Sequence, residues 1–281
     1  MTIPAPLRGV GLPDPVPCPA AVRPQRSSGR AEVTLAPDGR PLRLFQQGSA
    51  KAILLAGPRP EITYLNTSGG LAGGDRLALT LELPAGGVAT ATTQTAERAY
   101  RATDEAAQVD VRLRLGPGAH LDWLPQETIL FNRSRLNRRT RVDLAPGAGC
   151  LLAETVILGR AAMGEAVEEL EFRDRREVWR CGRPLWVDPL HLTGPALAGP
   201  ATLAGARAFA TLALIRDGAG DLLAPLRAAL DEAGCWGAAS ALPGRLMVRL
   251  MAPAALPLRR QLIRAQAVLR PGLPLPRVWQ A

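Results

Sequence analysis

Along most of this chain apolar side chains return at every second position. Val109, Val111, Leu113 and Leu115 alternate with Asp110, Arg112 and Arg114, which puts one face of a strand in a core and the other in water. The same spacing holds for Leu77, Leu79, Leu81 and Leu83, for Val142 and Leu144, for Leu170 and Phe172, and for Leu246, Val248 and Leu250. Short strands of this kind, broken by Gly and Pro from Ala31 onward, predict a mainly β fold. Either a layered sandwich or a β-helix-like coil satisfies the pattern.

Three corners resemble one another. Leu83-Pro84-Ala85-Gly86-Gly87, Leu115-Gly116-Pro117-Gly118-Ala119 and Leu144-Ala145-Pro146-Gly147-Ala148 each end an alternating run and begin a new apolar one. Gly admits a positive φ and Pro halts a strand, so stacked hairpins, stacked coils or unrelated turns of convergent chemistry all fit.

Only two stretches carry a helical period, and both lie late in the chain. One is expected at about 221–233, with Asp221 as a cap, Leu222, Leu223, Leu226 and Leu230 on one face and Gly234 at the end. The other is expected at about 257–270, where Pro257 opens a stripe of Leu258, Leu262, Ala265 and Leu269, and Pro271 closes it. Residues 1–30, rich in proline and without apolar periodicity, read as an arm preceding one β domain over 31–281.

Composition changes this picture little. The 281 residues are 47% hydrophobic and 21% charged, as in ordinary globular proteins. The net charge is +9, and Lys51 is the sole lysine, so arginine supplies the other 33 of 34 basic residues. A basic arginine surface suits carboxylates and phosphates. Nucleic acid is nonetheless not expected, because aromatics are only 4% and no helix-turn-helix or zinc-finger spacing occurs. No apolar run has the length of a secretory signal core or a membrane span, so a cytoplasmic protein without a membrane partner is expected. Cys18, Cys150, Cys181 and Cys235 are widely spaced and read as reduced, structural thiols.

Candidate chemistry is sparse. The segment Gly69-Gly70-Leu71-Ala72-Gly73-Gly74-Asp75-Arg76 has backbone freedom that invites a close approach, but it lacks the Lys-Ser/Thr of a phosphate loop, and a strand follows where a dinucleotide motif needs a helix. A bulged turn closed by Asp75 is the simpler reading. A hydrolase on a β scaffold is the alternative function, yet no Gly-x-Ser-x-Gly elbow occurs and His120 and His191 lie in no catalytic motif. His120 and Asp122 stand two apart on one strand face, a weak metal pair. Glu127 and Glu154, at strand ends, are further carboxylates of the kind that hold a metal loosely.

Ordered blocks make the chain familiar. Leu65 to Leu77 resembles the Gly-Gly-x-x-Gly-Gly-Asp block of the D-type (also H-type) urease accessory proteins. Thr92-Thr93-Gln94-Thr95-Ala96-Glu97-Arg98-Ala99-Tyr100-Arg101 is similar to that family's Thr-Thr-Gln-x-Ala-x-Lys-x-Tyr-Arg block, with Arg98 in place of lysine. Trp123 to Phe131, Leu158-Gly159-Arg160 with Gly164-Glu165, and Pro276-Arg277-Val278-Trp279 extend the resemblance in order to the end of the chain.

That resemblance implies a scaffold with no catalytic centre and no tightly bound cofactor. Its partners would be the urease apoprotein, an F-type accessory protein and, indirectly, a G-type GTPase. Nickel in transit would pass Asp75 and Glu154, with Glu127 a third carboxylate. Gly69, Gly70, Gly73, Gly74, Thr93, Gln94, Tyr100 and Arg101 would build or line the passage. Leu258, Leu262, Leu269, Arg277 and Trp279 would form the surface for the F-type partner.

Overall fold

A computed structural model describes residues 26–280. In chain order its strands are β1 (Ser28–Leu35), β2 (Pro41–Gly48), β3 (Ala50–Leu55), β4 (Glu61–Asn66), β5 (Arg76–Leu83) and β6 (Val88–Thr93). Then come β7 (Glu97–Ala99), β8 (Ala107–Leu115), β9 (His120–Trp123), β10 (Thr128–Leu130), β11 (Ser134–Leu144) and β12 (Gly149–Leu158). The last are β13 (Leu170–Arg180), β14 (Arg183–Thr193), β15 (Ala208–Ile215), β16 (Trp236–Leu242) and β17 (Arg245–Ala252). Helices are α1 (Gly194–Ala198), α2 (Leu223–Ala228) and α3 (Ala255–Leu269).

The chain coils. Strands β5, β8, β11 and β13 lie parallel in one sheet, ordered β14-β13-β11-β8-β5-β1-β2, and their successors β6, β9 and β12 lie parallel in a second, ordered β16-β17-β15-β12-β9-β6-β4-β3. The three similar corners are successive rungs: Leu83 is level with Leu115, and Leu115 with Leu144. Gly86 N–H donates to Pro117 O at 2.7 Å and Gly118 N–H to Pro146 O at 3.0 Å. Both glycines have φ of 66° and Gly147 has 69°, so the corners are one repeated turn, and of the two expected architectures the coil is the one formed.

Burial follows this layering. The first sheet keeps one wet face, which is why β8 alternates strictly. The second sheet is covered on both faces, by the first sheet on one side and by α2, α3 and Trp279 on the other, so β12 reads as a nearly unbroken buried run. No helix among the described residues is long and apolar enough to cross a membrane.

Three boundaries differ from expectation. Strand β1 begins at Ser28, so residues 28–30, expected in the arm, join the first sheet; residues 1–25, with Cys18, lie outside the described residues. The helix expected at 221–233 is a 3-10 turn, Ala219–Leu222, followed by the short α2, and Asp221 makes no capping bond. Gln261 of α3 takes over the chain there, donating to Ala229 O at 2.7 Å and accepting from Glu232 N–H at 2.9 Å, which draws residues 229–232 out of the helix. Helix α3 starts two residues early and ends at Leu269, because Arg270 leaves the helical path to reach Asp122.

Candidate functional site

The glycine-rich segment packs against the Thr-Thr-Gln block. Leu71 bridges to Ala99, with Leu71 N–H donating to Arg98 O at 2.7 Å and Tyr100 N–H to Leu71 O at 2.8 Å. Gly70 has φ of 146°, and a Cβ there would stand 2.4 Å from Tyr100 Cε2. The tyrosine ring is therefore what comes close to this backbone; its hydroxyl donates to Gly69 O at 2.8 Å and its edge meets Phe131. Gly73 is crowded by Glu105 O, while Gly74 turns at φ of 83°.

Asp75 closes this turn. Its carboxylate accepts from Ser27 N–H at 2.7 Å and from Ala72 N–H at 2.8 Å, so both oxygens are committed to backbone, contrary to the expectation of a carboxylate facing a passage. Thr93, half-buried at the end of β6, accepts from Gln126 N–H at 2.9 Å. Gln94 N–H donates to Tyr64 O, and Arg101 is exposed.

Two small cavities meet at one carboxylate. The first, about 60 Å³, is lined by Asn66, Gly69, Gly70, Thr93, Gln94 and Glu97 among others. The second, about 50 Å³, is lined by Thr93, Glu97, Trp123, Gln126, Arg138 and Glu154 among others. Leu77, Leu79, Thr93 and Glu97 belong to both. Burial pushes the Glu97 carboxyl up to about 7, against the lowering effect of the Asn66 amide, which donates to it at 3.2 and 3.3 Å. Sequence reasoning missed Glu97. It occupies a variable position inside a motif, and only its enclosure singles it out.

Glu154 lies deeper, at 3% exposure, and is already partnered. Trp123 Nε1 donates to it at 3.0 Å and Arg138 Nη1 stands 2.8 Å away. Arg138 also grips Asp174 through two hydrogen bonds of 3.0 and 2.8 Å, and a line of charge continues through Arg176 to Asp188 and Arg249. Burial raises the Glu154 carboxyl in spite of Arg138, whereas Asp174, equally buried, is held below the ordinary range by Arg138's charge and hydrogen bonds. The charges tie β12 to β11, β13, β14 and β17 across the interior.

Glu127 sits elsewhere, at the rim of a hollow of about 230 Å³ lined by Thr155, Ile157, Leu256, Arg259, Leu262 and Trp279. Arg259 Nη1 stands 3.7 Å from it. The C-terminal segment clamps the Trp-Leu-Pro-Gln-Glu block: Trp279 Nε1 donates to Leu124 O at 2.9 Å, Gln126 Nε2 to Val278 O at 2.8 Å, and Arg259 lies over the indole at 4.9 Å. Leu258, Leu262, Leu269 and Trp279, expected on a partner surface, are all inside the second core, because the stripe that makes α3 amphipathic is what covers the second sheet. Arg277 N–H donates to Glu61, and its side chain is exposed.

The carboxylate of the His120 and Asp122 pair is held by two arginines. Asp122 accepts from Arg59 and Arg270, both at 2.8 Å, and contacts His120 Nε2 at 3.2 Å; these partners outweigh burial and lower its carboxyl. Among the described residues no group of three or more His, Cys, Asp or Glu is arranged for a metal. Cys150 is buried, which pushes its thiol up to about 12, while Cys181 is exposed and Cys235 half-buried.

Comparison with known proteins agrees with the ordered blocks. The family model described as UreD urease accessory protein matches residues 22–280. A urease accessory protein UreD of Paracoccus denitrificans is 57% identical over 266 residues, spanning 93% of this chain and 95% of that protein. One from Cereibacter sphaeroides is 57% identical over 264 residues (91% and 96%), and one from Dinoroseobacter shibae 46% over 276 (95% and 98%).

Proposed function

The chain belongs to the UreD family of urease accessory proteins and serves urease maturation; we propose that it does so as a bridge, holding the urease apoprotein while an F-type accessory protein docks and brings a G-type GTPase. Nickel, the cargo, passes through the interior of this bridge in a cytoplasmic complex. The observation that carries the passage is the pair of adjoining pockets that share Leu77, Leu79, Thr93 and Glu97, the first of them reaching the surface at Gln94 and Thr95.

Nickel(II) accepts carboxylate, amide and water oxygens, and a short ligand set of this kind keeps release fast. Glu97 supplies the charge, with Asn66 and Thr93 as neutral neighbours. Glu154 lies further along, and an ion reaching it shares the carboxylate with Arg138. Asp75 acts on the passage indirectly, by keeping the Gly69–Gly74 wall folded. Glu127 stands outside these two cavities, beside the hollow at α3.

The test is Glu97→Gln. Co-purification with the urease apoprotein is expected to be unchanged while nickel per urease falls several-fold; full nickel loading by this variant overturns the passage. Docking of the F-type protein is assigned to the outer side of α3, where Leu256 is 57% exposed beside the hollow. Leu256→Asp is expected to abolish co-purification with that partner, and retained binding moves the docking face elsewhere.

A further inference from the structure

The wet face of the first sheet carries arginines in an arrangement that stability alone disfavours. Arg139 on β11 lies directly opposite Arg175 on β13. Like charges facing each other across a ladder cost free energy. The carboxylates present relieve this only in part, because they are shared. Glu177 serves both Arg139, at 2.9 Å, and Arg175, while Glu171 serves both Arg135, at 2.7 Å, and Arg173, at 3.0 Å. Each trio keeps one net positive charge, and a guanidinium has five N–H donors, so donors are left facing water.

Over these strands lies a groove of about 780 Å³, whose lining includes Arg139, Arg173, Arg175, Asn137, Gln108 and His191. The side chains of Arg139, Arg173 and Arg175 are 47 to 60% exposed. We propose that this groove is the docking site for an acidic protein surface, its Asp and Glu side chains seated against Arg139, Arg173 and Arg175. The inference deepens the bridging role by naming the chemistry of one partner, and rests on that role only for which protein it is.

Charge complementarity selects a protein over a polyanion. Glu171 and Glu177 stand among the arginines, and Asp110 lines the same groove. A folded partner places discrete carboxylates against guanidinium groups and avoids these acids, whereas a continuous phosphate chain meets them at each step. The neighbouring Trp179 is covered by Arg141 at 4.9 Å and offers no open stacking platform for bases.

The experiment uses the full chain, its R139S/R173S/R175S variant and the charge-preserving R139K/R173K/R175K variant. Each is measured against immobilised urease apoprotein, a labelled glutamate-rich peptide and a labelled DNA duplex, at low and high salt. The serine variant is expected to bind peptide roughly tenfold more weakly and to associate with the apoprotein more slowly at low salt, with both differences gone at high salt. The lysine variant, which keeps the charge, is expected to retain most binding; if the triple serine variant does not fold, the single R173S variant, at the most exposed of the three positions, decides the matter by a weaker loss of peptide binding at low salt. Unchanged peptide binding in the serine variant overturns the groove as a site, and tighter binding of DNA than of peptide overturns the protein partner. Peptide binding by wild type that ignores the apoprotein supports the groove while removing urease from the bridging role.

Discussion

Glu97 shows how far a single residue's chemistry depends on enclosure. Its carboxyl is pushed up to about 7 by burial, with the Asn66 amide too weak to offset it. In the unfolded chain the group titrates near 4.5, so between those values the folded state holds the extra proton. Its contribution to stability is therefore intact below about 4.5 and is lost as pH rises toward 7. Glu97→Gln is expected to raise stability above pH 7 by about 3 kcal/mol and to leave it nearly unchanged at pH 4, as read from urea unfolding across pH. A stability difference between Glu97→Gln and wild type that does not widen with rising pH over this window would contradict the assignment. Asp75 is the counterexample: its glycine-rich surroundings suit either a turn-closing group or a passage carboxylate, and its two backbone partners select the first. Glycine composition made the turn legible, but nothing in a motif reports the solvent exposure of Glu97.

At the scale of elements, alternation was a sound guide and helical periodicity a partial one. The half-wet strands Arg76–Leu83 and Ala107–Leu115 fall where alternation put them, because a face exposed to water must be polar. The helix expected at 221–233 was overlong, since Gln261, buried on another element, competes for the backbone at Ala229 and Glu232. The stripe on α3 was legible as apolar, but its periodicity was silent on whether it met this chain's core or a partner's. Its burial carries a prediction: removing residues 256–280 takes away Leu258, Leu262, Leu269 and Trp279 and uncovers the second core. The truncated chain is expected to lose cooperative unfolding and to bind a hydrophobic dye such as ANS. A folded, cooperative truncation would show that α3 is dispensable to the core.

At the scale of the molecule, the coil is held by pairings between residues far apart in sequence. Asp122 is the clearest: Arg59, before β4, and Arg270, at the end of α3, converge on one carboxylate oxygen, and His120 contacts the other. Removing an acceptor that partners a buried arginine leaves an uncompensated charge. Asp122→Ala is expected to destabilise the protein by about 3–5 kcal/mol in urea unfolding, while Asp110→Ala, at an exposed pair, costs under about 1 kcal/mol. Equal effects would mean that the buried cluster does not clamp the C-terminal helix to the coil.

The sequence by itself determined that the chain is mainly β, where most strands run, that three corners share a chemistry and, through its ordered blocks, which family it belongs to. These properties are local: alternation, turn residues and motifs are each read within about ten positions. Only the tertiary structure decided that the corners stack as rungs of a coil, that Glu154 faces Arg138, that Glu97 sits where two pockets adjoin, and that the α3 stripe is core. Each of those depends on which distant strands lie side by side, and neither strand alone encodes the electrostatics and exclusion of water that their meeting creates.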